Sequence, residues 1–473
     1  MELPSSFLGK FKRLMKNEEY NKFINSFKKH IFEGIRFNSL KINKEDFLEK
    51  ISNLSERIPW TNDGFYYDKE NSEVRLTIHP YYHQGLFYIQ EPSAMYPAEL
   101  LAARSEDKVL DLCAAPGGKT VQIAAQMENK GLLVSNEISP KRVRALKKNI
   151  ELYGIKNTII TNSTGKNLLE TYGTYFDKIL VDAPCSGEGT FRKDKHSIKE
   201  YDKYVGEDLY ETQRDILDYA FMLLKVGGFL VYSTCTFNPE ENEKQIEYIL
   251  SKYDCKLVEG NKTEGMASGR PEWSENSTVE LEKTIRFWPH ITKSEGHFVA
   301  KILKVSGEEY IGKNNKSKWK PYKFIHEKIK DFMDENIKID YNSYFFYCED
   351  EEYYLMDNEY PFERKNKIQH LGINIGKLNK YNFSPSQSFA MTLKHNEVNK
   401  IIEVDFNNAN KYLKGETLEI NEDDGYYGIV YKDYILGWAK FNNGFFKNLY
   451  EKSWRKVNDG NSFETVSIQG SIK

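Results

Sequence analysis

The chain has 473 residues and a mass of 55.4 kDa, more than one ordinary domain holds, so two to four domains are expected. A hydrophobic fraction of 40%, a charged fraction of 29% and a net charge of −3 describe an ordinary soluble protein, not one whose charge alone selects nucleic acid. No apolar run is long enough to span a membrane, and no apolar leader precedes a small-residue cleavage site. Five scattered cysteines with no Cys-x-x-Cys pair give neither a disulfide framework nor a zinc site. The expected setting is the reducing cytoplasm, with no membrane and no metal.

Residues 1–57 read as helical and amphipathic: Phe7, Leu8, Phe11, Leu14 and Met15 recur at helical spacing, as do Tyr20, Phe23, Ile24 and Phe27. Such a bundle is expected to pack on the next domain. Gly34 to Asn38 is strand-like, with Arg36 and Asn38 on one face. Short strands follow around a turn at Asn62-Asp63-Gly64, and Pro92 stands where a helix can start, just after Gln90 and Glu91. From Lys108 strands and helices alternate: strands at 109–113, 132–137, 158–161, 176–182 and 228–233, helices at 120–127, 140–153, 208–224 and 240–250. Segments 285–288 and 297–302 close the set. This alternation predicts an α/β fold with a parallel sheet covered on both faces, whose ligands lie beyond the carboxyl ends of the strands. Cys113, Glu137, Asp182, Cys185 and Cys235 all fall there. The Lys/Asn-rich stretch 305–322 reads as a linker. A small α+β module over 323–398 and a final module over 399–473, a helix followed by hairpin strands around Asn442-Asn443-Gly444, complete the chain.

Two features carry chemistry. Pro116-Gly117-Gly118-Lys119 follows a strand and opens a helix, so backbone can approach a ligand and helical N–H groups point at it. The spacing matches neither a Walker A loop nor the dinucleotide fingerprint. With no phosphate cradle, and with Glu137 ending the second strand where it can hold ribose hydroxyls, S-adenosylmethionine is preferred over NAD or ATP. The second feature is a pair of cysteines at polar strand ends, in Asp182-Ala183-Pro184-Cys185-Ser186-Gly187 and Ser233-Thr234-Cys235-Thr236. Carbon 5 of cytosine is a poor nucleophile until a thiolate adds at carbon 6; that chemistry wants a nucleophilic Cys, an acidic group near ring N3 and a base for release. Cys235, Asp182 and Cys185 supply those types. Cys255, Cys348 and the Cys113 side chain read instead as small buried hydrophobes.

These motifs, behind Cys113-Ala114-Ala115-Pro116-Gly117-Gly118-Lys119, resemble the NOL1/NOP2/Sun RNA (cytosine-5)-methyltransferases from roughly Gly34 to Lys301. Arg36-Phe37-Asn38, Gln90-Glu91-Pro92-Ser93, Arg286 to His290 and Gly296-His297-Phe298 resemble further motifs of that family. The resemblance implies a Rossmann-like class I S-adenosylmethionine-dependent methyltransferase sheet over 101–304. In it Cys235 is the nucleophile, Cys185 assists product release, Asp182 contacts cofactor and base, Lys119 lies at the active site and Glu137 holds the ribose. Residues 113–119, Arg142 and Thr164 complete the implied cofactor site. Thr164 is a departure, standing where the family usually places an Asp near the adenine amino group; the Asn162 amide is the other candidate for that contact.

Leu436 to Lys440 and Asn443 to Asn448 resemble the PUA-like RNA-binding domain of bacterial RsmF-type enzymes, which act on 16S ribosomal RNA. Lys440, Lys447, Lys452, Arg455 and Lys456 are candidate phosphate contacts, Trp438 and Trp454 candidate stacking surfaces or core. Residues 1–100 are expected to bind RNA as well. The expectation is a cytoplasmic, monomeric RNA methyltransferase acting on 16S ribosomal RNA, alone or in the small subunit. The alternatives are a tRNA methyltransferase, and an assembly factor whose methyltransferase domain is vestigial.

Overall fold

The structure, a computed structural model, describes residues 2–51, 54–69, 75–312, 321–322, 325–360, 367–380 and 382–456. Residues 313–320 of the expected linker, 323–324 of the α+β module and 457–473 of the final module lie outside them.

Helices Ser5–Leu14 and Asn17–Ser26 form an N-terminal hairpin. Its apolar positions Phe7, Phe11, Phe23 and Phe27 bury together with Phe191, Tyr201, Phe237, Trp273 and Trp288 of the next domain. Isolated helices of this length are marginal in water, so this aromatic seam is what holds them. Four antiparallel strands follow: β1 (Glu33–Phe37), β2 (Leu54–Arg57), β3 (Gly64–Tyr67) and β4 (Phe87–Gln90), in the order β2-β3-β1-β4. Arg36 and Asn38 share the face turned to the central domain. Arg36 Nη2 donates to Gly118 O at 3.0 Å, and Asn38 Nδ2 donates to Gly85 O at 2.9 Å and Tyr153 O at 3.0 Å.

The central sheet contains β5 (Lys108–Asp111), β6 (Leu132–Asn136), β7 (Thr158–Thr161), β8 (Phe176–Asp182), β9 (Leu224–Thr234), β10 (Cys255–Val258), β11 (Ala267–Ser268), β12 (Ile285–Phe287) and β13 (His297–Lys304). The five strands β9-β8-β5-β6-β7 pair in parallel, as their alternation with helices requires. The sheet as a whole is mixed, which corrects the expectation of a parallel one: β13 runs antiparallel to β9, and β10 and β12 antiparallel to β13. β12 and β13 are joined by a short connection without a helix, and such a connection can join only antiparallel neighbours.

Beyond the central domain lie β14 (Phe345–Glu349), β15 (Glu352–Met356), β16 (Ile368–Leu371), β17 (Ile373–Leu378) and β18 (Phe383–Pro385). β14-β15-β17-β18 make a small sheet, but β16 leaves it and pairs antiparallel with β7. The expected α+β module thus seals the open edge of the central sheet, where unpaired N–H and C=O groups would otherwise be exposed. The last sheet is β19 (Ile401–Glu403), β20 (Gly425–Tyr431), β21 (Tyr434–Asn442) and β22 (Phe445–Asn448). Its two tight turns, Lys432-Asp433 and Asn443-Gly444, have positive φ at both residues, which matches the twist of a two-residue hairpin. Among the described residues, no helix is long and apolar enough to cross a membrane.

Candidate active site

The carboxyl ends of β5, β6, β8 and β9 form one rim. At β5 the chain turns through Cys113 to Gly117, which has φ 110° in the left-handed region that suits glycine, into helix Gly118–Gln126. The turn is held from three sides. Ala114 N donates to Asn136 O at 2.8 Å, Asn149 Nδ2 donates to Pro116 O at 2.8 Å, and Arg142 Nη2 donates to Ala115 O. Thr120 Oγ1 donates to Asp111 Oδ2 at 2.6 Å, leaving Asp111 Oδ1 buried without a partner; burial pushes the Asp111 carboxyl up to about 7, against that hydrogen bond.

Glu137, directly after β6, is 2% exposed, and its Oε1 accepts from Ser139 N at 2.9 Å. Its Oε2 faces the Arg142 guanidinium at 3.1 Å with no aligned hydrogen bond. Ile138 beside it is 67% exposed. A buried carboxylate oxygen with spare acceptor capacity beside bare apolar surface, next to a glycine turn, suits a ribose and a purine ring. Thr164 is exposed and caps helix Gly165–Tyr172, its Oγ1 accepting from Asn167 N at 3.3 Å. The Asn162 Nδ2 donates to Glu137 O at 2.7 Å and Ile138 O at 2.9 Å, which fixes the amide beside the end of β6.

At the other end of the rim, β8 and β9 bring the two thiols together, Cys185 Sγ lying 3.2 Å from Cys235 Sγ. Asp182 Oδ2 accepts from Lys119 Nζ at 2.7 Å and Oδ1 accepts from Ser233 Oγ at 2.8 Å. Burial would raise the Asp182 carboxyl; the Lys119 ammonium overcomes it and holds it below the usual carboxylate range. Lys119 is raised in return, burial being outweighed by Asp182. The Cys185 thiol is pushed well above its ordinary value by its hydrogen bond to Cys235 and by burial, whereas burial raises the Cys113 thiol and leaves it inert. His297 is held neutral, burial and then Lys119 lowering it to about 4, with Nε2 3.9 Å from Asp182 Oδ1 and without a hydrogen-bond partner.

Residues around the thiols went unnoticed in the sequence. Glu241 is fully buried; it accepts from Ser186 N at 2.8 Å, Ser186 Oγ at 2.5 Å and Asn238 Nδ2 at 3.0 Å. It thereby joins the residue after Cys185 to the turn after Cys235. Arg286 donates to Phe237 O at 3.0 Å and pairs with buried Glu243. Gln90 accepts from Arg36 Nε at 3.3 Å, and Glu91 Oε1 accepts from Glu295 N at 2.7 Å, so both side chains have partners within the protein. Ile138 had a readable signal in its place after an acidic strand end; Glu241 had none for its contact with the Cys185 loop, since Ser186 lies 55 residues upstream. Among the described residues no group of three or more His, Cys, Asp and Glu could hold a metal.

The expected RNA surface of the last sheet is partly overturned. Trp438 and Trp454 are 1% and 5% exposed, so both are core and neither can stack on a base. Lys456 Nζ is turned inward to Asn410 Oδ1 at 2.7 Å, and burial lowers it to about 7. Lys447 and Lys452 remain exposed.

Five parallel strands with an acidic residue ending the second, a glycine turn ending the first and a polar side-chain cluster past the fourth define a Rossmann-like, S-adenosylmethionine-dependent methyltransferase. Family profiles match the chain in three places: 16S rRNA methyltransferase RsmB/F over residues 98–303, the N-terminal domain of 16S rRNA methyltransferase RsmF over 3–92, and the methyltransferase RsmF PUA domain over 399–456. The chain belongs to the RsmF family of 16S ribosomal RNA methyltransferases. Ribosomal RNA small subunit methyltransferase F of Shewanella oneidensis is 33% identical over 90% of this chain and 92% of its own length. The protein of the same name from Vibrio campbellii is 32% identical over 94% and 96%. Among solved structures, a methyltransferase homolog from Pyrococcus horikoshii superposes with a TM-score of 0.54 at 31% identity, covering 64% of this chain and 100% of that one. NSun6 from the same organism, solved with SFG, gives 0.53 at 24% identity over 64% and 99%, a likeness of fold.

Proposed function

We propose that the protein methylates carbon 5 of a cytosine in 16S ribosomal RNA, in the cytoplasm and as a monomer, through a covalent bond from Cys235 Sγ to carbon 6 of the base. The observation that supports this most is the pair of thiols 3.2 Å apart beside the Lys119–Asp182 ion pair, on the rim that also carries Glu137.

S-adenosylmethionine supplies the methyl group from its sulfonium centre. Glu137 would hold the ribose hydroxyls, with Ile138 and the backbone of residues 113–118 bordering the rest of the cofactor. Asp182 is ionised in the free enzyme, so it does not bring its own proton to ring N3. It takes the proton that leaves the Cys235 thiol as the S–C6 bond forms, and delivers it to N3 while Lys119 keeps the carboxylate in place. Carbon 5, now part of an enamine, accepts the methyl group. Cys185, protonated until then, gives its proton to the departing Cys235 sulfur and takes the proton from carbon 5. The N3 proton is released to solvent, so one proton leaves per methyl group transferred.

Bisulfite sequencing of ribosomal and transfer RNA from a strain lacking the gene tests the substrate. A 16S cytosine should lose its protection and regain it with the gene restored. Loss of protection in a tRNA alone would move the substrate to tRNA, and no loss anywhere would favour the vestigial reading.

Thr164 bears on cofactor affinity. Aspartate is as good an N-cap as threonine, so Thr164→Asp keeps the cap on helix Gly165–Tyr172 while adding a charged acceptor. A hydrogen bond to a charged group is worth about 1 kcal/mol more than a neutral one, so S-adenosylmethionine should bind about fivefold tighter. Calorimetry giving equal or weaker binding would remove Thr164 from the adenine site.

A further inference from the structure

The buried carboxylate of Glu188 has no part in the chemistry above, yet it lies between both cysteine loops. Glu188 follows Cys185 by three residues and is fully buried. Its Oε2 accepts from Phe237 N at 3.2 Å, two residues after Cys235. Next to it, Gly189 N donates to Cys235 O at 2.9 Å, and a Cβ on Gly189 would stand 2.3 Å from Gly296 O and 2.8 Å from Cys235 O. The two loops are thus in backbone contact, tied by one carboxylate.

A carboxylate removed from water needs a counter-charge. Here it comes from the far end of the chain. Lys10 Nζ, on helix Ser5–Leu14, reaches Glu188 Oε1 at 3.0 Å and Tyr201 OH at 2.9 Å; Tyr201 OH in turn donates to Glu188 Oε1 at 2.6 Å. The lysine is 21% exposed and cannot swing away freely, because Phe7 and Phe11 on the same helix are fully buried. Phe7 packs edge-on to Phe191 and Tyr201, and Phe11 edge-on to Phe237 and Trp273. Phe191 and Phe237 follow Cys185 and Cys235 by six and two residues, and Tyr201 is bonded to Glu188.

We infer that the N-terminal helical hairpin is a positioning element of the active site: through Lys10, Glu188 and Tyr201 it sets the separation of the loops that carry Cys185 and Cys235. This rests on the reading of the two cysteines given under Proposed function. A purely RNA-gripping hairpin would present its cation to solvent; this one presents it to a buried anion between the two cysteine loops. Lys10, Glu188 and Tyr201 touch neither substrate nor cofactor in this arrangement, and act only through the loops.

The test uses the full-length protein. Lys10→Met keeps the aliphatic stem and removes the charge; Tyr201→Phe removes one donor and keeps the ring. Both should lower kcat, Lys10→Met by about ten- to a hundredfold, because a loop displaced by a fraction of an ångström spoils the attack geometry. KM for RNA should stay within about twofold of wild type, as expected when binding contacts are untouched, and Lys10→Arg should recover most of the rate. In a Cys185→Ala background, Lys10→Met should slow formation of the covalent RNA adduct to a similar degree. A raised KM with unchanged kcat would overturn the inference and make the hairpin an RNA contact, and an adduct forming at the parental rate would overturn it too. If Cys185→Ala with Lys10 intact traps nothing, the cysteine chemistry itself has failed, a result distinct from failure of the brace.

Discussion

With Cys185→Ala, the enzyme should accumulate a protein–RNA adduct that survives denaturation, while Cys235→Ala should form none. The asymmetry follows from what each thiol does after the methyl group has moved. The adduct can collapse only if carbon 5 loses its proton and the Cys235 sulfur leaves. At 3.2 Å the Cys185 thiol is within reach of that sulfur and is held protonated, so it can give its proton to the leaving Cys235 sulfur in the proposed release step. Removing a positioned acid–base group costs about 10²- to 10⁴-fold in rate, so release falls behind addition and the intermediate persists. Removing the nucleophile abolishes the intermediate outright. Denaturing gels with labelled RNA and methyl donor read both, and an adduct that still forms in the Cys185→Ala, Cys235→Ala double variant would show the roles to be wrongly assigned. Because both side chains are small and half-buried, alanine is expected to disturb the fold little.

The second large effect is at Asp182. Asp182→Asn preserves shape but cannot carry the proton from sulfur to ring nitrogen, and turnover should fall by about 10²- to 10⁴-fold. The same change leaves the Lys119 ammonium, on a side chain 11% exposed, without its carboxylate partner. Asp182 itself is 32% exposed, so solvent softens the loss, and a destabilisation of about 1–3 kcal/mol is expected, below that for a fully buried pair. Thermal melting and turnover should therefore both respond in Asp182→Asn. The variant Lys119→Met, Asp182→Asn should recover part of the melting temperature and none of the activity. Recovery of activity in that double variant would show that Asp182 serves only to neutralise Lys119.

The two effects arise at opposite ends of one short chain of contacts, Cys185 to Cys235 and Lys119 to Asp182, with Ser233 between. Glu241 and Glu188 hold the loops from behind. The constellation is thus built from two strand ends and one helix start that are each locally simple, and its precision comes from buried acceptors contributed by residues with no local signature.

Much of this was legible in the linear order of residues. The strand–helix alternation from Lys108 onward, the glycine turn at 117, the acidic end of β6 and the thiols at the ends of β8 and β9 are all local patterns, and local patterns survive folding because backbone propensity and hydrophobic periodicity act over a few residues. The hairpin at Asn443-Gly444 was readable for the same reason. Strand direction was not readable: β13 carries the same apolar run whether it enters parallel or antiparallel. Nor was the placing of β16, which crosses from the small module to the edge of β7 because an unpaired edge accepts whichever strand is near. Trp438 and Trp454 look alike in sequence whether they face a base or a core, and only packing buried them. The Lys10–Glu188 pair spans 178 positions, and no spacing rule reaches that far. The sequence by itself determined which chemical groups exist and which strand ends carry them, since those depend on neighbours along the chain. The tertiary structure alone decided which groups meet, because burial and charge neutralisation are settled between elements distant in sequence.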